Sequence, residues 1–323
     1  MSKLGFPVGN RLVSPTTVVA DGPRKAASRF QLTRSAWKTR LPLLPALLLV
    51  ICVTQVPFFI TIYYSTLRWN LVSTAAPRIV YFGNFLDAFN DAVFINAILN
   101  TALMTVSIVV GSILIGGLLA LGLQREFRGR GIARTLAITP FFLMPVAAAL
   151  FWKTGIFDPT FGVAGWITSL VGFGRINWIT EFSKASVVIL ATWQWSSFAL
   201  MILLAGMQSF PIEVAEAAAV DGASRFYVFR RLMLPHLRPF IELTALLTSM
   251  YVLENFAGIS ILTAGGPAYA TTNLSYYVYL EAFSAFDLGR ASAFGVVTLA
   301  IVIALVVPML RVVSGIFKQG GRA

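Results

Sequence analysis

The sequence predicts an all-α fold, a polytopic membrane protein with six transmembrane helices. Its 323 residues are 57% hydrophobic and only 12% charged, whereas soluble domains run at about 45–50% apolar and about 25% charged. A soluble monomer of this size could not bury so much oily surface. Six apolar stretches match the roughly 20 residues that a helix needs to cross a hydrocarbon core about 30 Å thick. They are Leu41–Tyr64, Thr101–Leu123, Ala137–Trp152, Ser186–Met207, Phe240–Thr263 and Ala291–Val313. Finally, the basic residues alternate in density from one loop to the next, as positive-inside topology requires.

The segment 1–40 holds eight Lys and Arg, and its Ser, Thr, Pro and Arg content predicts a basic, disordered cytoplasmic stretch. Polybasic attraction to anionic lipid accounts for its charge. It is not a cleaved signal, because its charged region and the apolar run after it are both too long. The first span follows at Leu41. The polar stretch Phe94–Asn100 is expected to extend the second helix outward. The third span is short and carries Pro140 and Pro145, which bundles tolerate because neighbours satisfy the freed carbonyls. Val163–Val171 reads as a short helix on the outer surface. The membrane-embedded body is expected over 41–315, with a cytoplasmic tail over 316–323. Nineteen Lys and Arg fall on one side and six on the other. Both termini are therefore expected in the cytoplasm, and an even number of spans agrees.

Several chemistries have no residues to support them. No Lys follows a Gly, so there is no phosphate-binding loop of the GxxxxGK[ST] type, and no ATP site is recognisable. A single histidine, His236, precludes an HExxH metal site and any His cluster. His236 lies in a basic loop with no carboxylate close in sequence and reads as a solvated or interface residue. The single cysteine, Cys52, excludes an internal disulfide or cysteine cage and reads as a small packing residue. The net charge of +12 lies between apolar runs rather than beside polar base readers, so no nucleic acid is expected. Nothing argues for an enzyme.

The cytoplasmic loop 208–239 carries the strongest signal. Pro211 suits a first helical position, and Glu213 and Glu216 sit where the helix dipole favours negative charge. Ala217, Ala218 and Ala219 give helix propensity with little bulk. Asp221-Gly222 breaks the helix. Phe226, Phe229, Leu232 and Met233 then recur at helical spacing, and Pro235 and Pro239 are expected to end this second segment. Helix–helix connections usually run 2–8 residues. This one holds about 30 residues in two short helices, and its Ala-lined face lets another backbone approach closely. A docking element for a soluble partner fits better than a solvated connection.

The run Glu216-Ala217-Ala218, Asp221-Gly222-Ala223, Leu234-Pro235 and Pro239 resembles the EAA loop of binding-protein-dependent ABC importer permeases. A second stretch is similar to the carbohydrate-uptake branch of that family, the maltose, glycerol-phosphate and polyol type. It comprises Leu262-Thr263-Ala264-Gly265-Gly266-Pro267, Ala270-Thr271-Thr272-Asn273, Tyr279, Ala282-Phe283 and Gly289 with Ala291-Ser292-Ala293. Phe82-Gly83-Asn84-Phe85 matches the branch's usual start. Trp152-Lys153 and Asp158-Pro159-Thr160-Phe161-Gly162, with the ATTN segment, lean toward mannitol or sorbitol importers. The resemblance spans roughly residues 40–315.

The resemblance implies a MetI-like permease in a bacterial or archaeal plasma membrane, forming half of a translocation pathway. It implies a second permease subunit as the partner in a heterodimer, two ATP-binding cassette subunits and an extracytoplasmic solute-binding protein. The chain would bind no cofactor itself, ATP and Mg being used by the ATPase. Glu216, Ala217, Ala218, Asp221, Gly222, Ala223, Leu234 and Pro235 would couple to that ATPase.

Polar residues within spans usually face the bundle interior or a wet cavity. Gln194, Trp195 and Phe198 in the fourth span are pathway candidates. So are Thr248, Tyr251 and Asn255 at i, i+3 and i+7 in the fifth, with Glu254 beside them. Aromatic faces and amides suit a sugar, and the resemblance places a sugar site on the same spans. Each residue also has a plain packing reading, Thr248 by bonding back to its own helix, and Glu254 could pair with an Arg of the partner permease. Glu242 reads as an interfacial anchor. The competing function is an ion-coupled secondary carrier of small polar solutes. Such carriers usually show inverted repeats and more intramembrane acids than the single deep Glu254 found here.

Overall fold

A computed structural model describes residues 44–320, with Met309 and 312–320 described in backbone only. The N-terminal segment expected over 1–40, and the end of the expected tail, lie outside the described residues. The chain divides into two units at Pro57, within helix α1 (Leu44–Ser65). In the first unit, the described stretch 44–57 is an apolar helical run in which Thr54 donates to the Val50 carbonyl at 2.7 Å. Cys52 is exposed there rather than packed.

The second unit begins within α1 and is almost wholly helical. A two-residue antiparallel pair, β1 (Leu67–Arg68) and β2 (Arg78–Ile79), leads into α2 (Gly83–Asn90). Helix α3 (Ala92–Gln124) is 33 residues long. It absorbs Phe94–Asn100 as expected, and Asp91 caps it by accepting from the Val93 and Phe94 amides. Its buried residues Phe94, Ala97, Thr101, Met104, Ile108, Ser112, Gly116 and Ala120 recur every three or four positions and form one stripe. The opposite face is equally apolar but exposed, as a lipid-facing surface must be.

The expected third span is two helices, α4 (Arg130–Phe142) and α5 (Pro145–Phe151), bent by 105°. Pro145 opens α5 where its missing N–H costs nothing. A π-helical turn (Trp152–Ile156) follows, then α6 (Val163–Leu170), α7 (Trp178–Glu181) and α8 (Ser183–Gln208). Helix α8 is the centre of the bundle, and over half of its apolar window is buried. Gly116 of α3 lets the two helices approach closely, since a Cβ there would lie 2.6 Å from Ala199 Cβ and 2.7 Å from the Ser196 carbonyl oxygen.

After α9 (Ile212–Val220), α10 (Arg225–Val228) and a second π turn (Phe229–Met233) comes α11 (Leu234–Leu253). The prolines do not end the segment as expected. Pro235 sits at the start of α11 and Pro239 inside it, because the fixed φ of proline is helical and only single donors are lost. The fifth expected span is interrupted at Glu254–Phe256, with a short α12 (Ala257–Leu262) beyond. Helices α13 (Leu274–Phe283) and α14 (Leu288–Gly320) complete the chain.

Four of the six expected segments (α1, α3, α8 and α14) are thus single helices long and apolar enough to cross a membrane, and α4–α5 makes a fifth as a bent pair. The remaining segment, α11, is less apolar because its first turns carry His236, Arg238 and Glu242. The last two are ion-paired at 2.7 Å. His236 is half-buried and bonds Ser209 Oγ at 3.1 Å.

Candidate functional site

Helix breaks free backbone groups, and both breaks here are closed by side chains that reach in from neighbours. At the α4–α5 break, Gln194 Nε2 donates to the Leu143 carbonyl at 2.9 Å. At the end of α11, Ser275 Oγ donates to Leu253 O at 3.3 Å and Asn273 Nδ2 to Asn255 O at 2.9 Å. Asn255 Oδ1 in turn accepts from the Gly258 amide at 3.2 Å and starts α12.

The stretch similar to carbohydrate permeases is the brace behind this second break. Gly265, at φ +77°, turns the chain. Thr271 N and Thr272 Oγ1 both donate to the Gly265 carbonyl, and the Thr263 and Thr271 hydroxyls bond at 2.7 Å. Asn100 of α3 donates to the Tyr269 and Thr272 carbonyls at 3.2 and 3.0 Å. Thr101 Oγ1 accepts the Leu274 amide at 3.0 Å. Three helices are tied to one hairpin, and Thr271, Thr272 and Asn273 of the ATTN segment are buried within it. Asp158 closes the neighbouring DPTFG loop by accepting the Thr160 and Phe161 amides at 2.8 and 2.9 Å. These bonds hold its carboxyl below the usual aspartate range.

Between the two breaks lies a cavity of about 450 Å³, within the range of small-molecule sites. Leu143 and Pro145 come from one break, and Glu254, Asn255 and Phe256 from the other. Gln194 and Trp195, midway along α8, and Tyr251 supply the wall between them. Trp195 and Tyr251 stack with ring centres 5.2 Å apart. Non-helical backbone at membrane depth is tolerated where it lines a cavity, and two such stretches meet here.

Five of the seven pathway candidates therefore line one space: Gln194, Trp195, Tyr251, Glu254 and Asn255. Two do not. Phe198 stands behind the wall, stacked on Phe141 at 5.1 Å. Thr248 is fully buried outside the cavity, and its hydroxyl has no partner among the described residues. The stripe fails at Thr248, which packs inside the bundle, whereas Tyr251 on the same helix and Asn255 beyond its end at Leu253 line the cavity. Phe141, Leu143 and Pro145 went unforeseen as lining residues, because the segment carrying Pro140 and Pro145 reads as one span in sequence but is broken at Leu143–Met144.

The coupling candidates lie on a separate surface. Helix α9 ends at Asp221, with Gly222 at φ +80° and the Ala223 amide returning to Ala218 O at 2.9 Å. Pro211 precedes the helix by one position rather than opening it. Ser224 Oγ then accepts the Tyr227 amide and starts α10. An open groove of about 700 Å³ runs between the two helices, lined by Ala218, Asp221, Gly222 and Ala223 together with Val214 and Tyr227. Glu216 and Ala217 are exposed on α9, and Leu234 and Pro235 are exposed at the start of α11. Neither α9 nor α10 buries a residue. Val220 and Phe226 are 88% and 68% exposed, which is costly for apolar side chains in water.

Residues 92–318 match the family of binding-protein-dependent transport system inner membrane components. The chain belongs to this family. The permease is 34% identical over 284 residues to a probable ABC transporter permease protein of Sinorhizobium fredii, covering 87% of this chain and 90% of that one. It is 29% identical to the sn-glycerol-3-phosphate transport system permease protein of Agrobacterium fabrum, covering 84% and 92%. The fold resembles a chain of a bacterial alginate ABC transporter solved with a periplasmic protein bound to alginate pentasaccharide. The TM-score is 0.73 and the identity 22%, with 87% and 95% of the chains covered. Membership of this family does not favour the ion-coupled carrier reading.

Proposed function

We propose that this permease forms half of the translocation pathway of an ATP-driven importer for a sugar or sugar alcohol. The observation that carries the proposal is the pairing, in one chain, of a largely apolar cavity with a few polar groups between two helix breaks and an unpartnered helix pair at 212–228. The cavity supplies aromatic faces, an amide and a carboxylate, which suit polyhydroxy solutes. The trehalose/maltose and glycerol-phosphate names of relatives support the substrate class.

The helix pair supplies a rigid, small-residue handle. ATP and Mg are used by two separate cassette subunits, and this chain holds neither. A second, different permease completes the pathway, and an extracytoplasmic binding protein delivers the solute. Both termini and the handle face the cytoplasm, which the basic-residue asymmetry supports. Closure of the ATPase dimer pulls on α9 and α10, and the rigid π turn at Phe229–Met233 passes the motion into α11, whose far end is a wall of the cavity.

The experiment is to replace Glu216 with Lys or Gly222 with Val in the complete transporter. A Cβ at Gly222 meets nothing within 4 Å in this chain. Gly222→Val therefore strains only the local φ, by about 1–2 kcal/mol, and should leave the protein inserted. Both variants are expected to reach the membrane at wild-type levels yet abolish vanadate-sensitive uptake. Normal uptake by either would refute the docking role.

A further inference from the structure

Among the described residues lining the cavity, Glu254 is the one that carries a carboxyl group. It is exposed and forms no ion pair or hydrogen bond among the described residues. Lys153, whose Nζ donates to the Ile261 carbonyl at 2.8 Å, is not among the residues that line the cavity. A carboxylate is acceptor-only. The Gln194 amide nitrogen donates to the Leu143 carbonyl, and Asn255 Oδ1 accepts from the Gly258 amide. A solute entering this space meets the Glu254 carboxyl, which has no ion-pair partner among the described residues.

We propose that Glu254 makes the cavity selective for uncharged, hydroxyl-rich solutes and excludes acidic ones such as uronates and sugar phosphates. This deepens the reading of the cavity as the sugar pathway and rests on it. Solute hydroxyls donate to the carboxylate, whereas a solute carboxylate or phosphate is repelled and brings only further acceptors. The family relatives named above include carriers of an anionic solute, so the selectivity belongs to these residues and not to the fold.

The electrostatic half of the proposal can be tested without any substrate. In the complete transporter carrying Cys52→Ser, Ala257→Cys places a lone thiol on the cavity wall, and Tyr251→Cys serves if the first variant does not assemble. Cationic and anionic methanethiosulfonate reagents of equal size are compared, each relative to its rate with a small free thiol. The cationic reagent is expected to be favoured about tenfold. Glu254→Gln should abolish the preference and Glu254→Asp should keep it. Equal rates in the parent protein, or a preference that survives Glu254→Gln, would overturn the proposal.

The second arm measures uptake of labelled neutral sugars and polyols beside their uronate and phosphate counterparts. Uptake of neutral solutes alone supports the proposal. Uptake of the acids at similar rates overturns it while leaving the transport reading intact. Intact reagent preference with no uptake of any member of the panel overturns the transport reading instead.

Discussion

Asparagine 100 does more for this molecule than its sequence position suggests. Buried at 2% exposure, it binds two carbonyls of the 263–273 hairpin, while Asn273 binds the carbonyl freed at Asn255. Leaving buried acceptors without donors costs about 1–3 kcal/mol. Asn100→Ala and Asn273→Ala are therefore each expected to lower the thermal midpoint of the detergent-solubilised protein, and to be less than additive in combination because both act on one hairpin. Gly265→Ala should cost at least as much. Its φ is +77°, and a Cβ would lie 2.5 Å from Thr272 Oγ1 and 2.7 Å from Tyr276 Cε1. At this scale the sequence was partly readable. Glu254, Tyr251 and Gln194 showed themselves as polar groups in apolar runs. Thr248 and Phe198 misled, because a polar or aromatic residue in a span can pack inside the bundle as readily as it can line a cavity. Nothing local announced that Gln194 would spend its amide on a carbonyl 51 residues away.

Between elements, the N-terminal ends of α3 and α14 and helix α13 are joined by charge. Arg290 Nη2 binds Asp91 Oδ2 at 2.6 Å and lies 3.7 Å from Glu281 Oε1, while the Tyr277 hydroxyl donates to Asp91 at 2.9 Å. Burial pushes the Glu281 carboxyl up from its usual range, against the pull of the Arg290 guanidinium. Removing one partner of a buried pair costs about 3–5 kcal/mol, and less where water reaches it. With side-chain exposures of 32% and 15%, Arg290→Ala and Asp91→Asn are expected to cost about 1–3 kcal/mol each. A double-mutant cycle on unfolding midpoints should show strong coupling between them, and additive losses would contradict the clasp. The same scale shows what sequence pattern can and cannot carry. Long elements such as α3 and α8 follow from apolar length alone. Asp221-Gly222 stopped α9 as its turn chemistry requires. Pro235 and Pro239 did not stop α11, because proline breaks a helix only where the lost donor or the ring clash has no relief. The interruption at Glu254 has no proline or glycine beside it. It is imposed by Ser275 and Asn273 from another helix.

The described helices carry apolar surface outward. Within α1 only Ser65 is buried, and the lipid-facing side of α3 is as oily as its packed side. Composition foretold this, since the chain has more apolar residues than its interior can take. Orientation is a separate matter, and it rests on the nineteen-to-six division of Lys and Arg. In a Cys52→Ser background, Val220→Cys is expected to react with a membrane-impermeant maleimide only in inside-out vesicles, and Phe161→Cys only in intact cells or spheroplasts. The reverse pattern would invert the topology and remove the handle from the ATPase. Both positions suit labelling because they are 88% and 87% exposed.

The bond between Gln194 and the Leu143 carbonyl bears on how a mutant collection should be interpreted. A genetic screen for lost growth on a sugar would return Gln194 variants beside Glu254 variants, and the two would look alike on a plate. One class would have slackened the joint between two half-helices. The other would have altered what the lumen tolerates. Suppressors tell them apart: a change that restores growth to the first class should fall along α4 and α5, and should rescue every solute alike.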